Sequence, residues 1–268
     1  MLSIVAGDGA MGRAVAAALS GRGCLPMAIL GMPETHAGHA PERFSGAEIV
    51  FDFSTGEAVV PNLRAATDAG VRSFVIGTTN WAADRPAAEQ ILRAAQASAV
   101  ASPTFSLGVM LFARLVEQAA ELFGPFAEYD PYIVEQHRRT KADRPSGTAL
   151  ELSRRLIAAH PRKTRIAAAR AVGAPDPDEL DVTVIRAGAN PGMHLVGFDA
   201  PGETFEMRLS ARDRSSYASG AMTAADWLLA EPRAPGLHSF ETVVDSMIAA
   251  ASAAASAKPK AKPGAAAG

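Results

Sequence analysis

The chain has 268 residues, 48% of them hydrophobic and 20% charged, with a formal net charge of −2 and a single cysteine. That length provides one large or two ordinary domains and an ample core without covalent staples. The lone Cys24 excludes a disulfide framework and a cysteine-rich metal site, the near-neutral charge argues against a nucleic-acid partner, and no apolar run approaches the ~20 residues that span a bilayer.

Strand-like residues begin at Leu2, which leaves no room for a secretory signal and points to a cytoplasmic protein. Apolar runs at Leu2–Ala6, Met27–Leu30, Ile49–Phe53, Ser73–Ile76 and Ala99–Ala101 read as strands. Helical patterns at Arg13–Leu19, Ala58–Ala69 and Pro86–Ala97 fall between them, as in parallel βαβ units. After Pro103 the pattern changes. A helix over Leu107–Phe123, a strand over Tyr132–Gln136 and a helix over Ser146–His160 precede a polar loop at Gly173–Glu179. Strands at Val182–Arg186, Leu195–Phe198 and Thr204–Ser210 then adjoin one another, the last two across an Asp199–Gly202 turn. Helices near Ser219–Leu229 and Phe240–Ala250 close the chain and are expected to return to the first domain.

The expected fold is α/β: an N-terminal Rossmann-like, doubly wound parallel sheet over residues 1–106 with returning helices 217–250, and an α+β domain over 107–216. Residues 251–268, rich in Ala and Pro with Lys258, Lys260 and Lys262, bury too little surface to offset ordering and are expected to be disordered. Setting those lysines aside leaves 23 basic against 28 acidic residues, a net −5 for the body.

Gly7-Asp8-Gly9-Ala10-Met11-Gly12 lies between the first strand and the first helix, where a dinucleotide fingerprint belongs. Its glycines permit a tight turn and close approach of backbone to a pyrophosphate, which the helix N-terminus stabilises. An acid for the ribose hydroxyls, or an arginine for a 2′-phosphate, is expected about 20 residues beyond the glycines. The second strand instead ends Leu30-Gly31-Met32-Pro33, with Glu34, His36 and Arg43 further on, so NADH and NADPH both stay open. Three other strand ends carry small hydroxyl residues: Asp52-Phe53-Ser54-Thr55, Gly77-Thr78-Thr79-Asn80 and Ser102-Pro103-Thr104-Phe105. Such ends face the ligand crevice of a doubly wound sheet, so these loops are either cofactor contacts or turns closed by local Ser/Thr hydrogen bonds.

The densest polar segment runs Glu135-Gln136-His137-Arg138-Arg139-Thr140-Lys141-Ala142-Asp143-Arg144-Pro145-Ser146-Gly147-Thr148. It leaves an apolar strand and ends at a helix start, where Ser146 can cap and the free amides can hold an anion. His137, Arg138, Arg139 and Lys141 beside that helix start suit an acidic substrate. His137 and Lys141 are both candidate proton donors, since these residue types can be tuned toward neutral pH by their surroundings. Arg186 and His194 either pair strands or belong to the same pocket. His36, His39, His160 and His238 have no supporting neighbours, and no metal-ligand spacing occurs, so no metal is expected.

On these residues the chain resembles the dihydrodipicolinate reductase family, now called 4-hydroxy-tetrahydrodipicolinate reductase. The family signature E-x-H-H-x-x-K-x-D-x-P-S-G-T-A is met by EQHRRTKADRPSGTA, with GTT, Phe105–Val109 and Ile185–His194 in the same order and similarity from about Ser3 to Leu229. The resemblance implies reduction of a small cyclic imine dicarboxylate by NADH or NADPH, in lysine and diaminopimelate biosynthesis. It implies a cytoplasmic homotetramer with no nucleic-acid or membrane partner, the second domain serving substrate binding and oligomerisation. By the same resemblance His137 is acid/base, Lys141 donates a proton, and Gly147 and Thr148 hold a substrate carboxylate. Gly77, Thr78 and Thr79 then contact cofactor, as do Ser102, Pro103, Thr104 and Phe105, alongside the Gly7–Gly12 loop.

Several departures stand out, among them a short loop before Ile185. Arg138 replaces the second histidine of the signature, a substrate contact in the family, and can grip a carboxylate but not act as a neutral imidazole. The usual G-x-x-G-R-M-G is one residue shorter and lacks its arginine, N-F-S has become Thr104-Phe105-Ser106, and GTTG has become GTTN. They leave room for two other readings: a related oxidoreductase acting on another carboxylated imine or aldehyde, and a non-catalytic nucleotide- or dicarboxylate-binding paralogue. Retention of His137 with Lys141 argues against the latter.

Overall fold

Short, uniformly apolar runs separated by helices build one unit, and longer alternating strands build the other. The computed structural model describes residues 1–31, 38–168 and 173–257; Glu34 and His36 lie outside them. The chain divides into residues 1–105 with 218 onward, and residues 106–217.

In the first unit β1 (Ser3–Ala6), β2 (Ala28–Leu30), β3 (Ile49–Asp52), β4 (Ser73–Ile76) and β5 (Ser98–Ala101) alternate with helices α1 (Ala10–Gly21), α2 (Gly56–Asp68) and α3 (Arg85–Ala94). Every residue of β1, β3 and β5 is buried, as a parallel sheet covered on both faces requires. The order β5-β4-β3-β1-β2 reverses direction at β1, and the β1–α1 glycine loop leaves the sheet at that switch point. The first helix begins at Ala10 rather than Arg13 because Gly9, with extended backbone, already caps it. Phe44, Val50, Val59, Leu63, Phe74 and Leu92 fill one side of the sheet, and full burial of such side chains contributes roughly 1.5–3 kcal/mol each.

The second unit holds α4 (Leu107–Phe123), β6 (Asp130–His137), α5 (Gly147–Ala159), β7 (Arg165–Ile166), β8 (Glu179–Arg186), β9 (Met193–Ala200) and β10 (Glu203–Ser210). The sheet runs β10-β9-β6-β8-β7. β6 sits at its centre, antiparallel to β9 and parallel to β8. Phe112, Val116, Leu152 and Leu156 of the two helices pack against Ile133, Leu180, Val196 and Phe198 of the sheet. Phe123 stacks on Phe198 at 4.8 Å and on Phe205 at 5.2 Å.

The chain then returns to the first unit through α6 (Ser215–Ala230), β11 (Gly236–His238) and α7 (Phe240–Ala257). β11, absent from the sequence reading, extends the parallel sheet beyond β5, with Gly236 opposite Ser98. Phe240 packs on Phe105 at 5.0 Å between ring centres. α7 also corrects the expected tail: residues 251–257 are helical, and 258–268 lie outside the described residues. No helix among the described residues is long and apolar enough to cross a membrane.

Candidate active site

The glycine loop of the first unit separates packing glycines from an open one. Gly7 has φ +105°, and a Cβ there would lie 2.3 Å from the Phe53 carbonyl oxygen. A Cβ on Gly12 would lie 1.8 Å from the Gly7 carbonyl oxygen, so this glycine lets the helix seat against the turn. On Gly9 a Cβ would meet nothing within 4 Å among the described residues. No packing demands a glycine there, and α1 opens with no side-chain cap and no acid in its first turn. The Ala10, Met11 and Gly12 amides thus face a clear approach, which fits the pyrophosphate of a dinucleotide.

Local bonding absorbs much of the neighbouring strand ends. Buried Asp52 accepts at Oδ1 from the Ser54 amide (3.0 Å), the Ser54 hydroxyl (2.6 Å) and the Thr78 hydroxyl (2.9 Å). At Oδ2 it accepts from Asn62 (3.1 Å). Thr78 is therefore committed to holding two loops together, while exposed Thr79 keeps its hydroxyl free among the described residues. The Phe53 ring covers Gly77, where a Cβ would fall 2.0 Å from Cε1. Asn80 sits at φ +63°, a left-handed conformation that asparagine tolerates better than most residues. In the last loop Ser102 Oγ bonds the Thr104 carbonyl, Pro103 is exposed, and Phe105 is buried against Phe53 and Phe240. The Phe105 ring is thus a core element rather than a surface contact.

In the second unit, alternation along β6 puts Ile133, Glu135 and His137 on the helix-covered face. Ile133 belongs to the core; the next two side chains carry charge and chemistry out of it. Register places His194 of β9 opposite Glu135 and Arg186 of β8 opposite His137. Glu135 is fully buried, and its Oε1 accepts from Arg186 Nη2 at 2.8 Å and from the Ser146 amide at 2.9 Å. Its Oε2 faces His137 Nδ1 at 3.3 Å and His194 Nε2 at 3.6 Å. Burial acts to raise the Glu135 carboxyl, but hydrogen bonds from His194, Ser146 and Arg186 outweigh it and hold the group well below the usual carboxylate range.

His137 answers to the opposite balance. Burial, aided by the charges of His194, Lys141 and Arg186 and opposed by Glu135, pushes its pKa down to about 4. The ring is neutral at neutral pH, and the facing carboxylate favours the tautomer with the proton on Nδ1. Nε2 is left as an acceptor, and a Cβ on Gly192 would lie 3.0 Å from it, so that glycine keeps the flank of the ring clear. Lys141 is ion-paired with Asp143 at 2.8 Å. Arg138 lies exposed past the end of β6, with no acid paired to it among the described residues.

Ser146 joins this cluster to a helix start. Its amide reaches Glu135, its Oγ caps the Ala149 amide at 3.1 Å, and the same Oγ lies 3.2 Å from His194 Nε2. The amides of exposed Gly147 and half-buried Thr148, first in α5, are left for an anion. Arg186 and His194, open between two roles on sequence, are both part of the network; Glu135, which holds it together, was not singled out. The signal was present in the alternation Ile133, Glu135, His137.

Glu135, His137 and His194 bring ligand-type atoms within 4.8 Å of one another, a metal-like set that sequence spacing does not reveal. Arg186 already occupies the same carboxylate, and its charge opposes a cation there.

A family model described as "Dihydrodipicolinate reductase, C-terminus" matches residues 108–244. The 4-hydroxy-tetrahydrodipicolinate reductase of Magnetococcus marinus is 36% identical over 213 residues, 77% of this chain and 76% of its own length. That of Archaeoglobus fulgidus is 36% identical over 203 residues, 74% of this chain and 76% of its own. A dipicolinate-bound dihydrodipicolinate reductase from Paenisporosarcina sp. TG-14 shares the fold with a TM-score of 0.65 at 18% identity, covering 90% of this chain and 99% of that one. Matched by the family model over residues 108–244 and aligned with such reductases at 36% identity, the chain belongs to the 4-hydroxy-tetrahydrodipicolinate reductase family.

Proposed function

We propose that this protein reduces 4-hydroxy-tetrahydrodipicolinate to tetrahydrodipicolinate with NADH or NADPH, in lysine and diaminopimelate biosynthesis, as a cytoplasmic homotetramer. The observation that carries this reading is the buried Glu135 network ending at the open α5 N-terminus, with Lys141 close by. The reaction adds a hydride and a proton to the substrate and releases water; the reduced nicotinamide supplies the hydride. Everything else falls to side chains and amides of this chain.

The Gly147 and Thr148 amides hold one substrate carboxylate, aided by the positive end of the helix. Arg138, exposed and with no acid paired to it among the described residues, takes the second carboxylate in place of a histidine. His137 is held neutral and hydrogen-bonds the substrate through Nε2, while Lys141, steadied by Asp143, delivers the proton. In the first unit the amides following Gly9 hold the pyrophosphate, and Thr79 contacts the nicotinamide end.

The test is an assay of the purified chain with the product of dihydrodipicolinate synthase, following loss of reduced cofactor absorbance with NADH and NADPH separately. Oxidation of either cofactor that depends on that substrate supports the reading. A folded protein that binds a dinucleotide and turns over with neither would end it.

A further inference from the structure

Among the described residues the end of β2 presents no acid for an adenosine ribose, and Asp8 lies beside it. Ala6 pairs with Leu30 in parallel register, and the Gly7 amide donates to the Leu30 carbonyl at 2.8 Å, so the glycine turn is pinned against the tip of β2. One residue on, Asp8 is exposed. A Cβ placed on Gly31 would lie 3.5 Å from Asp8 Oδ2, so the carboxylate sits in van der Waals contact with the residue that follows β2. No cation pairs with that carboxylate among the described residues. Arg13 instead bonds, through Nη1, to the main-chain carbonyl of Asp8.

A carboxylate at this place accepts hydrogen bonds from the 2′- and 3′-hydroxyls of a ribose and repels a 2′-phosphate. We propose that Asp8, supplied by the glycine loop rather than by the end of β2, is the residue that selects NADH over NADPH. The inference rests on the nicotinamide-dependent reading above and adds to it a specificity that neither the family nor the fold dictates.

The experiment titrates the full chain with NADH and with NADPH, following intrinsic tryptophan fluorescence, and repeats both titrations on Asp8→Asn and Asp8→Ser. The wild type is expected to bind NADH about tenfold more tightly or better, the size of one charge-assisted contact. Both variants should bring the two affinities within about threefold of each other. Among the described residues the Asp8 carboxylate makes no hydrogen bond, so the variants should melt with the wild type. As a second probe, 5′-AMP should compete better than adenosine 2′,5′-bisphosphate only while Asp8 is present. Equal or tighter binding of NADPH by the wild type, binding of neither dinucleotide, or an unchanged preference in both variants overturns the proposal. A preference that Asp8 substitutions abolish, in a chain that does not turn over the cyclic dicarboxylate, leaves Asp8 standing and removes only the proposed reaction.

Discussion

Arg186 and Glu135 form an ion pair at 2.8 Å in which neither side chain is exposed. Two charges out of water cost more than they return unless each is fully partnered, and removing one strands the other. Arg186→Met is therefore expected to lower stability by about 3–5 kcal/mol. Adding Glu135→Gln should recover part of that loss, since the amide oxygen can still accept from Ser146 without bringing a charge. Denaturant unfolding of the wild type, both single variants and the double variant measures this. Losses that simply add would show the pair to be uncoupled.

The pH dependence follows from His137. Its folded pKa of about 4 lies below the roughly 6.5 of an unfolded histidine. Between those values the unfolded chain takes up a proton that the folded chain refuses, so stability falls as pH drops from about 6.5 through 4 and is fully present above 6.5. Burial also lowers His160, so the slope belongs to both rings. His137→Asn should make it shallower without abolishing it. Ring-proton NMR titration of the wild type should place the His137 midpoint near 4; a midpoint near 6.5 would rule out the buried neutral ring.

Local features were legible in the sequence, and long-range ones were not. Apolar runs and glycines located β1 to β5 because a doubly covered parallel strand is apolar throughout. The Ser146 cap and the α5 start were equally local. Glu135 escaped notice because its partners arrive from other strands: Arg186 is 51 residues away, and nothing in the spacing shows that β8 and β9 flank β6 in that register. β11 is three residues long, too short for a periodic signal, and pairs only because the chain returns to β5. At the strand ends, hydroxyl residues looked alike on paper, yet Thr78 and Ser54 serve Asp52 while Thr79 stays free among the described residues. Side-chain commitment of this kind needs the fold.

The glycine loop offers a clean separation of packing from binding. Gly9→Ala adds a methyl where no described residue lies within 4 Å, at a backbone φ of −66° that alanine accepts. Stability should change by less than about 1 kcal/mol, while dinucleotide affinity falls about tenfold or more as the methyl meets the pyrophosphate. Gly12→Ala drives a methyl to 1.8 Å from a main-chain oxygen. It should cost roughly 1–3 kcal/mol of stability by overpacking. Thermal unfolding alongside NADH titration distinguishes the two; a Gly9→Ala protein that binds as the wild type would take the pyrophosphate away from this loop.

Lys141 offers the sharpest test of the proton donor. With His137 held neutral, the proton that accompanies the hydride is assigned to Lys141, whose amine Asp143 holds at 2.8 Å. A positioned acid contributes about 10²–10⁴-fold in rate, so Lys141→Ala should lower kcat by that order while NADH affinity in a direct titration stays near the wild-type value. Asp143 acts through Lys141, whose hydrogen bond keeps the Asp143 carboxyl below its ordinary range. Asp143→Asn should therefore lower kcat by a smaller factor and shift the pH profile of kcat, because the lysine loses the carboxylate that orients it. Steady-state kinetics across pH on the three proteins carries the argument. If Lys141→Ala keeps nearly full kcat, the proton comes from elsewhere, and neutral His137 with bound water becomes the group to examine.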